Sequence, residues 1–150
     1  MLTLQQIKFC AEECNRQQSG ELSVYWMCEA LVDLQDCLQV RERLDLPLVT
    51  ENLILALART IEPVKNRSGY RFVPVTMPGL VVLRNQEQIP REMSNLIRAT
   101  HENLYSPEEF YDRFETIHPF IDGNGRVGAL LYNLLNDTLE NPITPPEYKR

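Results

Sequence analysis

The sequence predicts an all-α, mainly helical domain interrupted by one short β-hairpin near residues 70–84. Three observations carry that reading. Apolar residues recur at helical spacing in six separate stretches. Start and stop signals bracket most of those stretches. The one segment rich in β-branched and aromatic residues, Tyr70 to Leu83, has Pro78-Gly79 at its centre, a tight-turn signal.

The first helix is marked by Leu4, Ile7, Ala11 and Cys14 and stops before Ser19-Gly20. A second runs from about Ser23 to Arg43 on the stripe Val24, Met27, Cys28, Leu31, Leu34 and Leu38, and Leu46-Pro47 ends it. The third starts near Thr50, carries Leu53, Ile54, Leu57, Ala58 and Ile61, and closes before Pro63. The expected hairpin follows, with Tyr70, Phe72, Val73, Val75, Val81 and Val82. Pro74 confines it to a sheet edge, hence to the surface. Helices resume with Ile89, Met93, Leu96, Ile97 and Thr100, where Pro90 suits a first-turn position. Ser106-Pro107-Glu108-Glu109 is a capping box opening a fifth helix with Phe110, Phe114 and Ile117 on its apolar face. Pro119 disfavours helical geometry in the residue before it and so ends that helix at His118. Val127, Leu130, Leu131, Leu134 and Leu135 build a last, strongly apolar helix. Residues 141–150 read as an extended or disordered tail. No repeat or internal boundary divides residues 1–150, which read as one domain.

The chain is 43% hydrophobic and 24% charged, close to a soluble globular average, so it can bury a core without staples. No apolar run approaches the roughly 20 residues that span a bilayer. The first residues lack the basic flank and cleavage site of a signal peptide. Cys10, Cys14, Cys28 and Cys37 form no Cys-x-x-Cys pair and have no histidine beside them, which argues against zinc and for reduced thiols in the cytoplasm. A net charge of -6 argues against general nucleic-acid binding.

Chemistry concentrates between the last two helices. Asp122-Gly123-Asn124-Gly125 feeds directly into an apolar helix. Glycines allow a tight turn and close approach to a ligand. A helix N-terminus offers unpaired N–H groups and a positive dipole end, so the loop is suited to phosphate. Arg126, in the first helical turn, adds a guanidinium able to grip phosphate. An Asn-Gly turn capping a helix would explain the same loop. His118 at its mouth could take a proton from a hydroxyl, or simply end a helix. Asp122 could share magnesium with phosphates, or cap the turn. Phe120 reads as core.

The segment His118-Pro119-Phe120-Ile121-Asp122-Gly123-Asn124-Gly125-Arg126 resembles the signature of Fic proteins: His-Pro-Phe, any residue, Asp or Glu, Gly-Asn-Gly-Arg, two residues, then Arg. All eight defined positions from His118 to Arg126 are present. The order of hairpin, two helices, motif and helix agrees over roughly Tyr70 to Leu139. The resemblance implies that His118 is the general base for a target hydroxyl and that Asp122 binds magnesium. It implies that Gly123, Asn124 and Gly125 cradle the phosphates, Asn124 with its side chain, and that Arg126 contacts the phosphate beyond the one attacked. The family flap docks target backbone by strand addition and corresponds to Val75, Thr76, Met77, Pro78, Gly79, Leu80 and Val81; simple packing would explain the same hairpin.

The sequence departs from the signature at its end, where Ala129 replaces the second arginine. In the family that arginine steadies the far phosphate of ATP and pairs with an inhibitory glutamate, and a methyl group does neither. The inhibitory pattern, Ser or Thr, three residues, Glu, then Gly or Asn, is absent from the sequence too. Arg84, Arg91 and Arg98 are the arginines near the hairpin that could substitute. Three functions stay open: transfer of AMP or another phosphate-linked group from ATP or another nucleotide to a target protein; nucleotide or partner binding without turnover; and a toxin-like or mobile-element protein held by an inhibitory partner chain.

Overall fold

The computed structural model describes residues 1–17 and 19–146, and its regular elements there are helices. In order these are α1 (Leu4–Arg16), α2 (Glu21–Leu44), α3 (Glu51–Ile61), α4 (Ile89–His101), α5 (Pro107–Ile117) and α6 (Asn124–Leu135), with a 3-10 turn at Gln86–Gln88 before α4. The start signals work as local chemistry dictates. Thr3 caps α1 and Ser106 caps α5 through reciprocal capping boxes with Gln6 and Glu109. Thr50 accepts the Leu53 N–H at the start of α3. Pro107 opens α5, and Pro90 sits in the first turn of α4.

The amphipathic stripes converge on a single cluster of buried side chains drawn from all six helices. It includes Phe9, Met27, Leu31, Ile54, Ile61, Met93, Phe110, Phe114, Phe120 and Leu130. Helix α6 is buried along almost its whole length, and it packs on α5, α3 and α1. That central position explains why its composition is apolar all round rather than striped. Cys10 and Cys14 are buried, Cys28 and Cys37 half-buried, and all four are free thiols. No helix among the described residues is long and apolar enough to cross a membrane.

The expected hairpin is not formed. Among the described residues there is no strand, only an isolated bridge between Met77 and Leu80 around the Pro78-Gly79 turn, where Gly79 has φ of 71°. The turn lies where the sequence put it, and the ladder does not exist. Pro74 has no N–H to give a ladder. The backbone groups at the ends of the segment bond to the helical body instead: Arg71 N–H donates to Pro119 O and Leu83 N–H to Thr116 O, both at 2.8 Å. Residues 141–146 carry no helix or strand, and Asn133 ties them to α6 through both Ile143 backbone groups. The rest of the expected tail, 147–150, lies outside the described residues.

Candidate functional site

The loop between α5 and α6 is held by side-chain amides. Asn124 bonds Phe120 twice, accepting its N–H at 2.9 Å and donating to its carbonyl at 2.8 Å. Asn66 donates to Asp122 O at 2.9 Å and to Ala58 O at 3.1 Å, which joins the loop to α3. Phe120 is buried and packs against the Tyr70 ring, centroids 5.6 Å apart. Gly123 turns the chain with φ of 79°, a conformation that disfavours any side chain. A Cβ there would also meet Ile61 Cγ2 at 2.9 Å. The Asn124 amide is thus committed to shaping the loop.

At the end of α5, His118 adopts left-handed geometry, φ 51° and ψ 62°. Pro119 excludes a further right-handed turn, and a buried guanidinium fixes the alternative. Arg71 Nε donates to His118 O at 2.6 Å, and Nη2 reaches Ile117 O at 3.1 Å. His118 itself is 7% exposed.

Gly123, as N-cap of α6, offers no side chain to the first N–H groups of the helix. Those groups have no intrahelical acceptors and create a local positive potential. The charged residues around them are paired with one another. Asp122 Oδ2 takes Lys65 Nζ at 2.7 Å, and Oδ1 accepts the Gly123 N–H at 2.7 Å. Burial alone would raise the Asp122 carboxyl, but Lys65, the Gly123 N–H and Arg126 outweigh it and hold it below the usual range. The same hydrogen bond raises the Lys65 ammonium above its ordinary value. Arg126 is 1% exposed. Its Nη2 meets Glu62 Oε1 at 2.8 Å and stands 3.6 Å from Asp122 Oδ1. Its Nε and Nη1 are buried with no hydrogen-bond partner among the described residues. Burial pushes the Cys14 thiol up to about 11, against the lowering effect of this same guanidinium.

The end of α1 lies over the first turn of α6. Gln17 is so close to Gly125 that a Cβ there would stand 2.5 Å from its Oε1. Glu13, itself buried, anchors Gln17 and Arg16.

The structure therefore brings His118, Asp122, Gly123, Asn124, Gly125 and Arg126 into one helix-loop-helix turn. The segment Val75 to Val81 is mostly exposed. Ala129 is fully buried in the core. Arg84, Arg91 and Arg98 are exposed. Among the described residues none of them bonds to the motif; Arg91 pairs with Glu92. Sequence reasoning missed Gln17, Glu62, Lys65, Asn66 and Arg71. The polar run after α3 in an otherwise apolar neighbourhood was the only signal for three of them.

For magnesium, the donor set is one half-exposed carboxylate, Asp122, and no group of three or more acidic, histidine or cysteine side chains gathers there among the described residues. That suits an ion held mainly by substrate phosphates and water, with Lys65 occupying the carboxylate in their place.

The Fic/DOC family model matches residues 48–135, more than half of the chain, from just before α3 to the end of α6. No curated protein matches the sequence.

Proposed function

Since the chain belongs to the Fic/DOC family, we propose that it is a transferase moving AMP, or another phosphate-linked group, from ATP or another nucleotide to a hydroxyl side chain of a target protein. The observation that carries this reading is the unbroken motif from His118 to Arg126, folded as a helix end, a glycine turn and a helix N-terminus. His118 takes the proton of the attacking hydroxyl. The hydroxyl oxygen forms a bond to the α-phosphorus while the bond to the departing pyrophosphate breaks. The N–H groups at the start of α6 and the Arg126 guanidinium oppose the negative charge that builds on the phosphates. Gly123 and Gly125 let those phosphates approach the backbone. Asp122 would hold magnesium, which neutralises phosphate charge when bound. The mostly exposed segment Val75 to Val81 would meet the target. A cytoplasmic setting, where nucleotide is abundant, and restraint by an inhibitory partner chain complete the proposal.

The second reading is a nucleotide- or partner-binding module without turnover. Two observations favour it: Ala129 is buried core where the signature has an arginine, and Glu62 and Lys65 already neutralise Arg126 and Asp122. The test is label transfer from ATP carrying radioactive α-phosphate, with magnesium, into lysate and the protein itself. Label with wild type and none with His118→Ala supports transfer. Undiminished label in His118→Ala removes the base assigned to it. Nucleotide binding that survives in His118→Ala, with no label in either protein, favours the binding module.

A further inference from the structure

Arg71 is, with Arg126, one of the two largest fully buried side chains, and among the described residues it pairs with no carboxylate. A guanidinium taken out of water without a counter-charge is costly. Only extensive use of its donors offsets that cost. All three of its nitrogens donate, through four of the five guanidinium N–H groups, and the acceptors are all backbone carbonyls. Nε bonds His118 O at 2.6 Å and Nη1 bonds Val73 O at 2.9 Å. Nη2 bonds both Leu83 O at 2.6 Å and Ile117 O at 3.1 Å. The Arg71 N–H adds a fifth bond, to Pro119 O.

These acceptors fall into two groups. Ile117, His118 and Pro119 are the end of α5, where the last carbonyls lack helical partners and a cation is favoured by the helix dipole. Val73 and Leu83 stand near the two ends of the 72–82 segment, one just inside it and one just after it, and the segment carries exposed Phe72 and Val81. One side chain thus clamps the base of the exposed segment to the backbone of His118.

We infer that Arg71 is a positioning residue: it fixes the left-handed His118 backbone from which the imidazole projects and couples it to the 72–82 segment. This rests on the reading of His118 as a general base. A target that docks on the segment acts on the same rigid clamp that sets the imidazole. Lysine cannot replace arginine here, since one ammonium cannot span four carbonyls arranged on two sides.

The protein has two histidines, His101 and His118, so imidazole resonances report the two sites separately. In folded Arg71→Lys, the His118 resonance shifts while that of His101 stays. The transfer kcat falls about 10- to 100-fold with the nucleotide KM little changed, as misplacement of a reacting group by an ångström does. Folded Arg71→Lys with an unmoved His118 resonance and wild-type kcat overturns the proposal and leaves Arg71 a packing residue. Should that variant not fold, wild-type protein labelled with 15N-arginine decides. The Arg71 Nε–H resonance, whose acceptor is the His118 carbonyl, moves in His118→Ala while the exposed arginines keep theirs. An Arg71 signal identical in wild type and His118→Ala overturns the coupling. If wild-type protein transfers no label from any donor, the transferase reading fails, while the two resonance measurements still decide whether Arg71 sets the His118 geometry.

Discussion

Replacing Glu62 by alanine leaves the Arg126 guanidinium buried without its nearest counter-charge. The Arg126 side chain is 2% exposed and its contact with Glu62 is 2.8 Å. Asp122 cannot stand in, because it is 3.6 Å away and committed to Lys65 and the Gly123 N–H. Two guanidinium nitrogens already lack partners among the described residues, so no spare acceptor absorbs the loss. Breaking a buried pair by removing one member costs about 3–5 kcal/mol. At roughly 2–4 °C per kcal/mol for a chain of this length, Glu62→Ala should melt about 6–20 °C below wild type. A domain stable by about 5–15 kcal/mol survives that loss in most of the range. Thermal melts followed by circular dichroism give the first number, and urea titration checks it. Pyrophosphate gives the functional one, since an anion can take the vacated place. It should raise the melting temperature of Glu62→Ala more than that of wild type. Glu62→Leu combined with Arg126→Met should lose less than Glu62→Leu alone, because an apolar pair leaves no charge stranded. A melting temperature within about 2 °C of wild type, or equal stabilisation of both proteins by pyrophosphate, would refute the reasoning.

Other positions separate by the same kind of argument. Gly123→Ala should cost about 1–3 kcal/mol in denaturant titration, because φ is 79° and the new methyl meets core Ile61 at 2.9 Å. Gly125→Ala, whose new methyl has the flexible end of Gln17 as its nearest neighbour, should change stability by less than about 1 kcal/mol. Ala129→Arg, the change that completes the signature, should destabilise by more than about 3 kcal/mol, since that position is fully buried in an apolar cluster; a wild-type melting temperature in this variant would contradict the packing of α6. Asp122→Asn removes a half-exposed pair worth about 0.5–1 kcal/mol. The Asp122 carboxyl is held below its ordinary 3.8, so the stability difference from wild type is fully present above that pH and vanishes as pH falls through the lower folded value. Urea midpoints at pH 7, 4 and 2.5 check it.

Most of the helices were legible because they are amphipathic and bounded by their own chemistry. Thr50 and Pro63 bracket α3, and Ser106 with Glu109 opens α5, without reference to anything distant. The hairpin misled for a physical reason. Val73, Val75, Val81 and Val82 read as strand, but β propensity describes a pleated surface with a partner, and Pro74 removes a ladder donor from the first leg. The candidate site was legible where it is contiguous, from His118 to Arg126. Its supports were not. Glu62 lies 64 residues from Arg126 and Asn66 lies 56 from Asp122, and no spacing rule links a helix end to a loop across such distances. Arg71 sat inside a segment whose apolar neighbours drew attention to strand pairing, although a lone arginine there was its most unusual residue.

The pairings inside the site set how a ligand can enter it. The Lys65–Asp122 pair is about half exposed on both sides, and pairs of that kind are worth little; a cation therefore displaces the lysine at small cost. The Arg126–Glu62 pair is buried, and a phosphate that had to break it would face the penalty of stranding a carboxylate. It does not have to. Glu62 occupies Nη2 alone, and Nε and Nη1 remain as donors with no partner among the described residues. A phosphate that takes those two donors leaves Glu62 in place and strands no carboxylate, but it shares the guanidinium charge with Glu62 and so binds less tightly than where Glu62 is removed. The Gln17 amide lies against Gly125 in the first turn of α6. It is the end of a flexible, half-buried side chain, so a rotamer change at the end of α1 would uncover that glycine, while the buried Arg126 donors require the surrounding side chains to open as well.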